Sequence, residues 1–201
     1  MEAAAAALRH HADHALVVGF VCGLLETIGQ SNAVALRATR AAVNVGVCEA
    51  LVAAMRRHPG TPKLQDAAHT VLSSVAAKDV EGRVRALRAG AVAAVMATLN
   101  CARAAGATPG GPNELGQPYC GLHALGMLLS GCQTAEPQEE AYSAGALTAA
   151  LAALRRWPGN ALINAQACGC LMSLLMVPPC CTREPLRITA GSAGRRPGCT
   201  A

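Results

Sequence analysis

AMRRHPG at residues 54–60 returns as ALRRWPG at residues 153–159, 99 positions later. The match extends backwards: between Gly46–Gly60 and Gly145–Gly159 eight of 15 positions are identical, including Ala50/Ala149, Ala53/Ala152, Arg56/Arg155 and Arg57/Arg156. Gly46 has further counterparts in Gly90 (ALRAGAVAAV) and Gly191 (RITAGSAG), so the glycines from Gly46 to Gly191 are spaced 44, 55 and 46 apart. Subtracting about 11 residues for the Gly/Pro-rich stretch NCARAAGATPGGPNE (100–114) brings the middle spacing to 44 as well. That period is the roughly 40 to 47 residues of stacked helical repeats.

Each copy parses into helices at the same offsets. After the glycine, apolar residues fall at Cys48, Leu51, Val52 and Met55, at Val92, Val95, Met96 and Leu99, and at Leu147, Ala150, Leu151 and Leu154. This i, i+3, i+4, i+7 spacing predicts one buried stripe per helix. Pro-Gly in HPG and WPG then ends the helix, because proline cannot continue it and glycine accepts the turn. A second amphipathic helix follows, with Leu64, Ala68, Val71, Leu72 and Val75 in one copy. Its counterparts are Gly121, Ala124, Leu125 and Leu128, then Ile163, Ala167, Cys170, Leu171 and Leu174, with an N-terminal copy at Val17, Phe20, Val21 and Leu24. Short helices at 33–38 and 84–89 close their units, so each unit has one short and two long helices.

Composition agrees. Hydrophobic residues make up 52% of the 201 but aromatic ones only 2%, a mixture of Ala, Leu, Val, Met and Cys that favours helices over strands. Net charge is +5 with a pI near 8.8, short of the value of about 9 that marks nucleic-acid binders. Ten cysteines are too sparse for a disulfide scaffold of this length. Cys22, Cys48, Cys120, Cys168 and Cys170 sit in apolar helical runs, as reduced core cysteines do. The expected setting is therefore the cytoplasm, with the nucleus as alternative. The run ALVVGFVCGLL (15–25) follows Glu2, Asp13 and three histidines rather than a basic leader, and 11 residues are too few to span a bilayer. It reads as a buried helix, and no membrane association is expected.

The succession AGAVAAVMATL, a Pro-Gly break, LQDAAHTVLSSVA and a short helix returning to Ala-Gly resembles the armadillo repeat. It is similar to the degenerate, alanine-rich arrays at the N-terminus of leucine-rich-repeat kinases. The resemblance covers roughly residues 12–188. It implies an all-α, right-handed α-solenoid of armadillo-type three-helix repeats, about three and a half units long, whose third helices line a concave groove for an extended peptide. The expected organisation is an N-terminal extension (1–11), an array (12–177) with units near 12–45, 46–89, 90–144 and 145–188, an insertion at 100–116, and a disordered Cys/Pro/Gly-rich tail (178–201). The Trp and Asn ladder of nuclear import receptors is absent: the positions off the apolar stripe hold Asp66, His69, Thr70, Ser73, His123, Cys168 and Ser173. These are the expected contacts of a protein or peptide partner.

Other chemistry finds less support. Arg56, Arg57, Arg155 and Arg156 fall at helix C-termini, where the helix dipole stabilises cations by roughly 0.3 to 1 kcal/mol. They would serve an acidic ligand or phosphates only as an alternative, and without interleaved aromatics nucleic acid is not the expected partner. Cys168 and Cys170 are two apart and point away from each other on a helix, unlike zinc-ligand pairs. His10 and His14 lack an HExxH glutamate. GATPGGPNELG (106–116) lacks the lysine and the preceding strand of a phosphate loop. Cys120 and His123 lie one turn apart with no third residue to orient them. No catalytic residue, metal or cofactor is expected. A fragment of a larger array is the remaining alternative; an uncapped end would then favour a homodimer.

Overall fold

The computed structural model describes residues 2–11, 14–30, 35–104 and 116–176, and every regular element among them is an α-helix. In chain order these are α1 (Glu2–His10), α2 (Ala15–Gln30), α3 (Ala35–Asn44), α4 (Val47–Arg57), α5 (Pro62–Lys78), α6 (Val80–Arg88), α7 (Ala91–Ala104), α8 (Gly116–Leu129), α9 (Glu136–Ser143), α10 (Ala146–Arg156) and α11 (Ala161–Leu175). A shorter helix followed by two longer ones recurs as α3–α4–α5, α6–α7–α8 and α9–α10–α11. No single helix among the described residues is long and apolar enough to cross a membrane.

The helices form two layers. In one, α2 packs on α5, α5 on α8 and α8 on α11; in the other, α1 packs on α4, α4 on α7 and α7 on α10. The layers are joined through α1–α2, α4–α5, α7–α8 and α10–α11. The core runs unbroken through the seams as buried Leu, Val, Met and Ala, from Leu8 to Leu174.

The echo in sequence is an echo in hydrogen bonds. Gly46, Gly90 and Gly145 turn into α4, α7 and α10 with φ of 81°, 82° and 88°, a left-handed backbone that costs other residues roughly 1 to 2 kcal/mol. Each donates its amide back three residues, to the carbonyls of Val43, Leu87 and Tyr142. At the far ends, His58 N–H donates to Ala54 O and Trp157 N–H to Ala153 O. The turn is then held from the next helix: Gln65 Nε2 donates to His58 O at 2.8 Å and Asn164 Nδ2 to Pro158 O at 2.9 Å. Pro62 occupies the first turn of α5, where no amide is needed. Asp79 caps α6 and Asn160 caps α11 through their side chains.

The predicted stripes of α4 and α7 are buried throughout, as are those of α5 and α8. In α10, Ala150 is buried but Leu147 and Leu154 are half-buried and Leu151 is exposed, because no described helix covers this last unit. Among the described side chains of α2 the buried ones are Val18, Cys22 and Leu25, while Leu24 is exposed, a shift of one position from the predicted stripe, whose Phe20 side chain lies outside those described. Nearly every α2 residue is apolar, so periodicity cannot set its rotation.

Two boundaries also move. Residues 2–10, expected as an extension ahead of the array, form α1, which packs on α2 and α4 and buries Ala5 and Leu8 completely. α7 continues through Ala104 and α8 begins at Gly116, so the ends of the predicted 100–116 insertion are helical and the remainder, 105–115, lies outside the described residues. The predicted tail, 178–201, with Cys180, Cys181 and Cys199, lies outside them too.

Candidate partner-binding face

The predicted contacts on α5 divide between surface and interior. Thr70 is half-buried and its hydroxyl donates to Asp66 O at 2.9 Å. Ser73 is buried and donates to Thr70 O at 2.9 Å; its hydroxyl is consumed by its own helix. Ser73 therefore offers a partner nothing, contrary to the sequence expectation.

His69 departs from expectation more sharply, being wholly buried with neither ring nitrogen hydrogen-bonded. Its place lies in the α5–α8 seam, beside Gly121. A Cβ at Gly121 would stand 2.7 Å from Leu99 Cδ2 and 3.5 Å from His69 Cε1. Burial lowers the imidazole pKa to about 3, so the ring is neutral and acts as an apolar filler.

Asp66, three residues earlier, is half-buried with Oδ1 unpartnered. Its carboxyl abuts Gly116, at the start of α8, so that a side chain there would have to displace it. Burial raises its pKa to about 6.

The α8–α11 seam holds the built polar contact of this layer. His123 Nδ1 lies 2.8 Å from Gln166 Oε1, so that nitrogen is the protonated one. The His123 ring stacks on Tyr119, one turn earlier, with centroids 6.2 Å apart. Neither Tyr119 nor Gln166 was singled out from sequence; the i, i+4 pairing of Tyr119 with His123 was the available signal. Ser173 is half-buried on α11. Cys168 is exposed, and on the helix it lines up with Ala161, Ala165, Met172 and Leu175 along the outer side of α11. That side corresponds to the one α8 turns towards α11. Cys168 thus belongs to the end of the stack and not to the surface shared by α5 and α8.

The four arginines sit in the other layer. Arg56 Nη2 donates to Gly90 O at 3.3 Å, tying the end of α4 to the start of α7, and Arg9 Nη1 makes the matching bond from α1 to Val45 O at 2.8 Å. Arg156 lies over the Trp157 ring, 5.2 Å from its centroid. Arg57 and Arg155 are exposed. They flank helix ends and do not face Thr70, Tyr119 or His123.

No disulfide joins the described cysteines. Burial pushes the thiols of Cys48 and Cys170 up to about 12, so neither is a thiolate at neutral pH. No group of three potential metal ligands comes together among the described residues. His123 next to Cys120 is oriented by an amide oxygen rather than a carboxylate. No family model, curated protein or solved structure matches the chain.

Proposed function

We propose that this chain is an armadillo-type array that holds a peptide or protein partner, without catalysis, along the α5–α8–α11 layer. The observation that carries this is the succession α2–α5–α8–α11 stacked in order, in which α5, α8 and α11 are each the last long helix of a triplet. Such stacking presents a continuous row of helix faces, the geometry repeat proteins use to grip extended segments. Asp66, Thr70, Tyr119, His123 and Gln166 supply hydrogen-bonding groups along it. Cysteines outside any disulfide among the described residues suit a reducing compartment, the cytoplasm or nucleus.

Selection from a random-peptide display library against the purified chain tests the reading. Enriched peptides are expected whose binding falls at least tenfold in Thr70→Arg or Gln166→Arg variants of unchanged helicity. Failure to enrich any peptide, or binding indifferent to both substitutions, would sink it.

A second reading, self-association, is favoured by the end of the stack. Leu162, Met172, Leu175 and Met176 are 58%, 62%, 74% and 69% exposed and, with Cys168, form an apolar surface of the kind uncapped repeats present. Light scattering under reducing conditions is expected to show dimers that Leu162→Asp with Leu175→Asp returns to monomer. A monomeric parent at high concentration would refute it.

A further inference from the structure

Between α7 and α10, in the layer away from the proposed partner face, lies an apolar cleft of about 50 Å³. Its walls are Leu99 and Ala102 of α7, Leu122 and Pro118 of α8, and Ala149, Ala152 and Ala153 of α10; Arg103, Arg156 and Trp157 form its rim.

The neighbouring gap shows why this one is open. Between α4 and α7, Gln65 donates to Met55 O and His58 O and accepts from Thr98 Oγ1 at 2.9 Å, a polar plug across the two units. Counting from Gly90 and Gly145, Ala153 stands where Thr98 stands one unit earlier. By the same register of α5 and α8, Pro118 stands where Gln65 stands, and Pro118 and Ala153, both lining the α7–α10 gap, can make no such bridge. The loss of the plug leaves a hollow whose lining side chains, apart from the rim, carry no hydrogen-bonding group.

Size and charge restrict the occupant. A single water needs roughly 10 to 15 Å³ of such space, so the hollow has room for the tip of one aliphatic side chain and not for a long acyl chain. At the rim, two helix C-termini contribute about −0.5 charge each, against two guanidinium charges, and no acidic residue among the described ones lines the cleft. Arg103 is exposed and makes no ion pair among the described residues.

We propose that this cleft is a second docking site, taking an acidic peptide segment that inserts one leucine-sized side chain between α7 and α10 and sets its flanking carboxylates against Arg103 and Arg156. Carboxylate–guanidinium pairs supply orientation and the apolar anchor supplies burial. This site is separate from the α5–α8–α11 face and stands or falls on its own.

Trp157 is the only tryptophan in the chain and reports directly on the rim. The full chain is titrated with acetyl-Glu-Glu-Leu-Glu-Glu-amide while its emission is followed. A saturable change is expected, weakened at least tenfold when the peptide leucine becomes serine or when Arg103 becomes Glu, abolished in Ala153→Leu, and unaltered in Thr70→Arg. Arg103 is on the surface, so R103E keeps the test valid should A153L fail to fold. The proposal is overturned by no response, by an equal response to the serine peptide, or by indifference to R103E. It is also overturned if only phosphatidylserine vesicles change the emission, or if deleting residues 106–114 alone changes it and peptide does not, which would assign the cleft to a membrane or to this chain's own insertion.

Discussion

Leu125→Ala is expected to lower the unfolding free energy by about 2 to 5 kcal/mol, the usual cost of emptying a fully buried leucine site. Leu125 is 0% exposed on α8, which is packed between α5 and α11, so neighbours on both sides restrict collapse into the space left behind. Leu151→Ala makes the internal comparison. It removes the same atoms from the same kind of stripe, but Leu151 is 37% exposed at the end of the stack, and its loss is expected to cost less than about 1 kcal/mol. Urea denaturation of both variants, with m-values checked for two-state behaviour, decides the matter: equal costs would mean that α8 is not enclosed as described.

The second large effect is a pair of opposed pH dependences. His69 has a folded pKa of about 3 against 6.5 for the free imidazole, so below pH 6.5 the unfolded chain takes up a proton that the folded chain refuses. Its stabilising contribution is complete above pH 6.5 and is lost as pH falls towards 3, by at most about 1.4 kcal/mol per pH unit. Asp66 has a folded pKa of about 6 against 3.8, so the folded chain keeps a proton that the unfolded chain releases. Its contribution is complete below 3.8 and is lost as pH rises through 6, over a narrower window than that of His69 because the carboxyl is only half-buried and solvent screens it.

Between pH 4 and 6 the two largely cancel. Single variants separate them: Asp66→Asn is expected to lose stability as pH falls from 6.5, and His69→Leu to lose it as pH rises from 4 to 6. At pH 7, where His69 is neutral in both states, His69→Leu is expected to be neutral or stabilising. It removes two buried nitrogens that lack partners, each costing about 1 to 3 kcal/mol. Thermal melts of the two variants across pH 4 to 7 check this, and parallel pH profiles would refute it.

What could be read from the chain followed from local repetition. The Gly46/Gly145 echo, the Pro-Gly stops and the stripes of α4, α5, α7 and α8 are each written within a few residues. Features that depend on which helix lies opposite were not legible. His69 was expected outside because it falls off the stripe of α5; it is inside because α8, with Gly121 beside the ring, packs on that side of α5. Leu151 was expected inside because it lies on a stripe, yet a stripe is buried only if another helix covers it. α1 contributes little more than Ala5 and Leu8 to the core, too short a pattern to mark it as part of a layer. Tyr119 and Gln166 gain their interest from the α8–α11 seam, which no spacing within either helix reveals.

The Arg9 and Arg56 bonds have a mechanical side. The α2–α5–α8–α11 layer is joined by long seams of side chains, while α4 and α7 are also held by a single guanidinium reaching Gly90 O. One layer is thus closely seamed and the other laced at a few points. Any bend that shortens the seamed layer must lengthen the laced one, and the strain will collect where the lacing is thinnest, between α7 and α10, where no Gln–Thr bridge spans the gap. A partner held on the proposed α5–α8–α11 face would thereby be felt as a change in width of the α7–α10 gap.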